Sequence, residues 1–149
     1  MRSLFAIVPL AFSLVTAAGG DESLPDHCII LPISEGPALM KQCSRGAPKD
    51  VDAYWSPSIS QVLEVEQHLL ELLREGSHDL TLSASYRQYI GITVHGKNLI
   101  YLNSIDRSAL TGDWRTKAAV ICDGGDLFWG VVWDPGDSTF HDLQFNGGG

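Results

Sequence analysis

KAAVICDGGDLFWGVVW, from Lys117 to Trp133, holds the densest turn chemistry in the chain and two of its four tryptophans. Before the turn Ala118, Val120 and Cys122 alternate against Ala119 and Ile121; after it Phe128, Gly130 and Val132 alternate against Leu127, Trp129, Val131 and Trp133. Neither half has a polar face. The stretch reads as a hairpin at the centre of an antiparallel sheet, with Asp123-Gly124-Gly125-Asp126 supplying the left-handed positions a tight reversal needs.

Outward from that hairpin the pattern is a series of short strands. Downstream, Asp134-Pro135-Gly136-Asp137 turns the chain into a last strand, Thr139 to Phe145, which ends in Asn146 and three glycines. Upstream, Tyr86 to Val94 places Tyr86, Gln88, Ile90, Ile92 and Val94 on one face and Arg87, Tyr89, Gly91 and Thr93 on the other. His95-Gly96-Lys97-Asn98 then turns it into the strand Leu99 to Ser104, and a polar loop, Ile105 to Thr116, leads back to the hairpin.

The clearest single element precedes these strands. Ser56 and Pro57 start a helix over Pro57 to Glu75, in which Ile59, Val62, Leu63, Leu69, Leu70 and Leu73 recur at helical spacing and Gly76 provides the stop. Glu66 sits at the edge of the apolar stripe. Further upstream, His27 to Ile33 is apolar enough for an edge strand limited by Pro32, and Ser34 to Asp52 reads as irregular, surface-wrapping chain. Met1 to Ala18 has the charged start, apolar run and small-residue end of a secretory signal peptide, cleaved after Ala17 or Ala18, which leaves no stable membrane anchor.

The expected organisation is therefore a signal peptide (1–18), an irregular segment with a possible edge strand (19–52) and a helix-plus-sheet domain (53–149). The fold class is α+β: one long helix packed on a bent antiparallel sheet of four to five strands, including Ala118 to Cys122 and Phe128 to Trp133. Leu63, Leu70, Ile90, Ile92, Val120 and Val132 are the expected core.

Composition restricts the function. Ten Lys and Arg face eighteen Asp and Glu, a formal net charge of −8, the wrong sign for a sequence-independent grip on nucleic acid and the right one for steering a cationic exported protein. Asp123, Asp126, Asp134 and Asp137 are oxygen ligands in Gly-rich turns, but they lack the alternating spacing and closing glutamate of a calcium loop, so turn formation explains them and no metal or cofactor is expected. The five histidines, His27, His68, His78, His95 and His141, form no zinc-helix pair, and no Gly-x-Ser-x-Gly elbow supports a hydrolytic triad.

In an exported chain the three cysteines, Cys28, Cys43 and Cys122, imply one disulfide and one thiol. Loop entropy does not choose between partners, because a loop of about 15 residues is already worth roughly 3 kcal/mol and a longer one gains little more. Placement favours Cys43–Cys122, which ties the irregular segment to the sheet and leaves Cys28 free.

Gln42-Cys43-Ser44-Arg45, Tyr54-Trp55-Ser56-Pro57, Arg87-Gln88-Tyr89-Ile90-Gly91-Ile92, Ile100-Tyr101-Leu102-Asn103, Cys122-Asp123-Gly124-Gly125, Phe128-Trp129-Gly130 and Leu143-Gln144-Phe145-Asn146-Gly147 resemble the motifs of a group of small exported bacterial proteins. The resemblance implies a bacterial, periplasmic or secreted protein and the same Cys43–Cys122 pairing, and it brings no activity with it. The helix-then-strands order is also similar to the cystatin-like layout, but Gln88-Tyr89-Ile90-Gly91 is one residue short of the cystatin Gln-x-Val-x-Gly signature, so protease inhibition does not follow.

The expectation for function is a non-enzymatic binding or inhibitor-type domain, protective against a cell-wall-degrading or effector enzyme. The alternatives are a small periplasmic hydrolase and a structural envelope protein. Its expected binding residues are Trp55, Arg87, Tyr89, Trp114, Asp123, Asp126 and Trp129, clustered at the Asp123 to Asp126 end of the sheet, with no catalytic set.

Overall fold

The computed structural model describes residues 22–75 and 85–148; the expected signal peptide, His78 and the Gly76 helix stop lie outside them. The sheet is built on its longest hairpin. Strands β3 (Ser85–Val94) and β4 (Lys97–Asp106) pair without a break from Ser85 opposite Asp106 to Val94 opposite Lys97. His95 and Gly96 close the turn at φ 49° and 76°, the left-handed pair that matches strand twist in a two-residue loop. Strands β5 (Trp129–Asp134) and β6 (Thr139–Phe145) follow antiparallel beyond β4.

On its other edge β3 takes two partners end to end. Strand β1 (Cys28–Ile30) runs parallel to it at Arg87 to Tyr89, and β2 (Val51–Trp55) runs antiparallel at Gly91 to Val94. The sheet is therefore mixed and six-stranded. This corrects the expected all-antiparallel sheet of four to five strands and the cystatin-like layout with it. A strand of three residues parallel to a long one has no local signature, since its pairing is set by where the wrapping segment returns.

One face of the sheet carries Tyr89, Ile100, Leu102, Trp129, Val131 and Trp133, all buried, and helix α2 (Ile59–Glu75) lies on it. Its buried positions are Val62, Val65 and Leu69, spaced i, i+3, i+7. Leu70 is 48% exposed and is corrected from core to surface; the helix is rotated so that Leu63 and Leu70 flank the buried seam. Its start is at Ser58 and not at Ser56 and Pro57. The Ser58 hydroxyl accepts from Gln61 N–H at 3.2 Å, while the Gln61 side chain accepts from Ser58 N–H at 2.9 Å, a reciprocal capping box.

The other face carries Ile90, Ile92, Tyr101 and Val132, covered by Leu31 and by Leu39 of the short helix α1 (Gly36–Leu39). Over this second face runs the segment expected to be the first half of the central hairpin. Residues 118–122 form no strand, and Val120 is 38% exposed rather than core. Their backbone is satisfied by side chains that stand up from elsewhere. Gln88 Oε1 accepts from Ala119 N–H and Glu35 from Ala118 N–H, each at 3.0 Å. Asn103 donates to the Ala119 carbonyl at 3.0 Å, and Asn146 donates to the carbonyls of Ile121 and Asp123 at 2.8 Å. The segment thus lies across the sheet instead of within it. The aspartate-glycine turn keeps its left-handed positions, Asp123, Gly124 and Gly125, but they lead into a single 3-10 turn and then β5.

Cys43 and Cys122 form a disulfide, with Cα atoms 5.3 Å apart, and Cys28 is a buried free thiol. Among the described residues no helix is long and apolar enough to cross a membrane.

Candidate binding site beside helix α2

Where β1 meets β3 the register sets Cys28 opposite Arg87, and Arg87 N–H donates to the His27 carbonyl at 2.8 Å. The Arg87 side chain, 2% exposed, points to the helix face and forks onto Glu66: Nε donates to Oε1 at 2.6 Å and Nη2 to Oε2 at 2.7 Å. Nη1 donates to Ser85 Oγ at 2.9 Å, and the fully buried Tyr89 hydroxyl also donates to Glu66 Oε1. This is the bidentate geometry that suits a guanidinium and a carboxylate.

The electrostatics follow from that geometry. Burial pushes Glu66 up, but the hydrogen bonds and charge of Arg87, with the Tyr89 hydroxyl, outweigh it and hold the carboxyl below its ordinary range. Burial and the Glu66 charge push the Tyr89 phenol well up, and the same two causes push the Cys28 thiol up to about 12. His27 Nε2 stands 3.9 Å from Glu66 Oε2.

His27, Cys28 and Glu66 therefore bring three metal-ligand types within 4.8 Å of one another. Their state argues against coordination or nucleophilic chemistry. Both Glu66 oxygens already serve a guanidinium, whose charge opposes a dication at the same place, and a thiol with so high a pKa is almost wholly protonated at neutral pH. A second trio, Asp134, Asp137 and His141, has the same compactness, but the buried Asp134 carboxylate is ion-paired with the Lys97 ammonium. That pairing holds Asp134 below its ordinary range.

Over the Glu66–Arg87 pair opens a shallow hollow of about 480 Å³, walled by Pro25, His27, Leu63, Gln67 and Leu70. Its apolar rim is the exposed Leu70 with the half-buried Leu63, and its floor is an ion pair with its charges already matched.

The seven expected binding residues do not form one cluster. Arg87, Tyr89 and Trp129 lie on the helix-covered face, all buried. Trp55, half-buried, packs its ring over Gly91 and donates Nε1–H to the Ile92 carbonyl at 3.1 Å. Trp114 sits on the opposite face, its ring edge-on to Tyr86 with centroids 4.9 Å apart. Asp123 and Asp126 are exposed at the loop end, where Asp123 N–H donates to Ser44 Oγ. Arg87 pairs with a helix acid and not with a loop aspartate.

Glu66, the centre of the cluster, was signalled only by its place at the edge of an apolar stripe, where an acid needs a partner. Arg45, Gln88, Asn103 and Asn146 gave no signal singly. In the structure they join four of the quoted motifs in one polar network: Arg45 donates to Asn103 and Asn146, and Asn103 donates to Gln88 at 3.0 Å. No family model, curated protein or solved structure matches this chain.

Proposed function

We propose that this protein is an exported, non-enzymatic binding domain of inhibitor type, which meets a cationic exported protein through the hollow beside α2. The observation that carries the reading is the state of that hollow. Leu70 stands at its rim as exposed apolar surface with the half-buried Leu63 beside it, while Glu66 and Arg87 at its floor are bound to one another. Such a place offers apolar contact area over a floor whose charges are already matched. The net charge of −8 adds a steering field for a basic partner, and the disulfide suits an oxidising compartment.

The hydrolase alternative finds less support. Among the described residues, the cysteine and histidine grouped with an acid, Cys28 and His27 beside Glu66, hold a buried thiol whose pKa is raised, the opposite of an activated nucleophile.

Affinity capture from periplasmic and secreted extract at low and high salt, with wild-type protein and Leu70→Asp in parallel, tests the reading. The expected result is a basic partner, retained at low salt, weakened by high salt and lost with Leu70→Asp at unchanged melting temperature. Capture that ignores both salt and Leu70→Asp would remove this surface from consideration.

A further inference from the structure

Asn146 and Gly147 form the only Asn-Gly bond in the chain. Asparagine followed by glycine is the pair most open to deamidation, because glycine has no side chain to hinder attack of its own backbone nitrogen on the preceding side-chain carbon. Here the fold holds both reacting groups. The Gly147 N–H donates to the Ser44 carbonyl at 3.0 Å. The Asn146 side chain, on a residue 4% exposed, donates from Nδ2 to the carbonyls of Ile121 and Asp123 at 2.8 Å each and accepts from Arg45 Nη1. The bond from Arg45 polarises the amide, but together with the other two it fixes the amide plane. The Asn146 N–H is tied as well, to the Phe128 carbonyl at 2.9 Å.

These partners share one property. Ser44 and Arg45 follow Cys43 directly, and Ile121 and Asp123 flank Cys122. Among the described residues, every group that holds the Gly147 nitrogen or the Asn146 side chain therefore lies within two positions of a bridged cysteine. The disulfide closes two short segments around the bond, and both its cysteines are exposed. Three of the quoted motifs, Gln-Cys-Ser-Arg, Cys-Asp-Gly-Gly and Leu-Gln-Phe-Asn-Gly, meet in this clamp.

We propose that Asn146 is a deamidation site gated by the Cys43–Cys122 disulfide, closed while the bridge is intact and opened by its reduction. A dithiol reductant supplies the first step. One of its thiolates attacks a bridge sulfur and the other resolves the mixed disulfide, leaving Cys43 and Cys122 as thiols and the reductant oxidised. The released Gly147 nitrogen loses its proton and attacks Asn146 Cγ; ammonia leaves with Nδ2, and the resulting succinimide takes up water to give aspartate or isoaspartate. The product carries a negative charge, and carboxylate oxygens stand where donors met the Ile121 and Asp123 carbonyls. The clamp does not close on it again, so deamidation is a lasting record of a period without the bridge. The site stands independently of the α2 hollow.

Oxidised and dithiothreitol-reduced protein, incubated at neutral pH below the melting temperature of the reduced form and peptide-mapped for aspartate and isoaspartate at position 146, test it. Urea-denatured protein sets the intrinsic rate. The folded, oxidised protein should deamidate about thirtyfold more slowly, the weight of two ordinary hydrogen bonds, and reduction should restore most of the rate while the β3 and β4 amides stay protected. Leu69→Ala, a core truncation under α2 with the bridge intact, separates the clamp from general stability: compared at an equal distance below its melting temperature, it should stay slow. Where reduction unfolds the whole chain, the Gly147 amide decides, since its hydrogen exchange in the oxidised protein should be slowed by a similar factor. Deamidation of the oxidised protein at the intrinsic rate, a reduced folded protein as slow as the oxidised one, a Leu69→Ala protein as fast as the reduced one, or an unprotected Gly147 amide would overturn the proposal.

Discussion

Glu66 serves three donors at once, and its removal tests how far the helix side depends on one carboxylate. Taking it away leaves a guanidinium buried without its counter-charge, so Glu66→Gln should cost about 3–5 kcal/mol, read as a fall in melting temperature. The pH dependence has a definite sign. The folded carboxyl is held below its unfolded value, so its contribution is present above the ordinary carboxylate pKa and is lost as pH falls through the lowered one. Thermal melts taken from neutral pH down to about pH 3 should show that loss in wild type, and a flatter profile in Glu66→Gln. Gly130 is a second single-residue constraint. Gly130→Ala drives a methyl into the Tyr101 hydroxyl and should cost about 1–3 kcal/mol, and adding Tyr101→Phe should recover part of it, a non-additivity that denaturant titration can read.

At the scale of elements, residues 117–123 hold their place through side-chain hooks rather than a ladder. Native-state hydrogen exchange should find the Ala119 amide protected in wild type and exposed by Gln88→Ala, with the β3 and β4 amides unchanged. The same loss at Ala119 and throughout β3 would mean that Gln88 supports the whole sheet. The positions of these hooks, Gln88 on β3, Asn103 on β4 and Asn146 after β6, explain why the segment could be mistaken for a strand. An apolar alternating run predicts a strand, but here Val120 and Cys122 are exposed and the hydrogen-bond partners are side chains, Gln88 and Asn103 from the sheet together with Glu35 and Asn146, instead of a strand alongside.

For the whole molecule, the disulfide and the free thiol behave oppositely. Both bridged cysteines are exposed, and on the loop-entropy account a bridge spanning 79 residues stabilises by about 4.5 kcal/mol. Reduction should therefore proceed without prior unfolding and lower the melting temperature sharply. Cys28, buried and with its thiol pushed up to about 12, should resist alkylation in the folded, oxidised protein and react once the chain is denatured. A thiol count of one in the native state would contradict the burial.

What the sequence determined by itself was local. The two faces of residues 86–94, the left-handed turn at His95 and Gly96, the last strand Thr139–Phe145 and the left-handed Asp123-Gly124-Gly125 turn were all legible, because alternation and positive φ are properties of neighbouring residues. The Ser58 and Gln61 capping box was equally legible and would have placed the helix start. Tertiary structure alone decided the parallel β1, the β2 pairing, the rotation of α2 that buries Val65 and exposes Leu70, and the meeting of Glu66 with Arg87 across 21 positions of chain. Each of these depends on which distant group satisfies a buried polar atom or covers an apolar face. That choice is made by the packed molecule as a unit, and no window of neighbouring residues contains it.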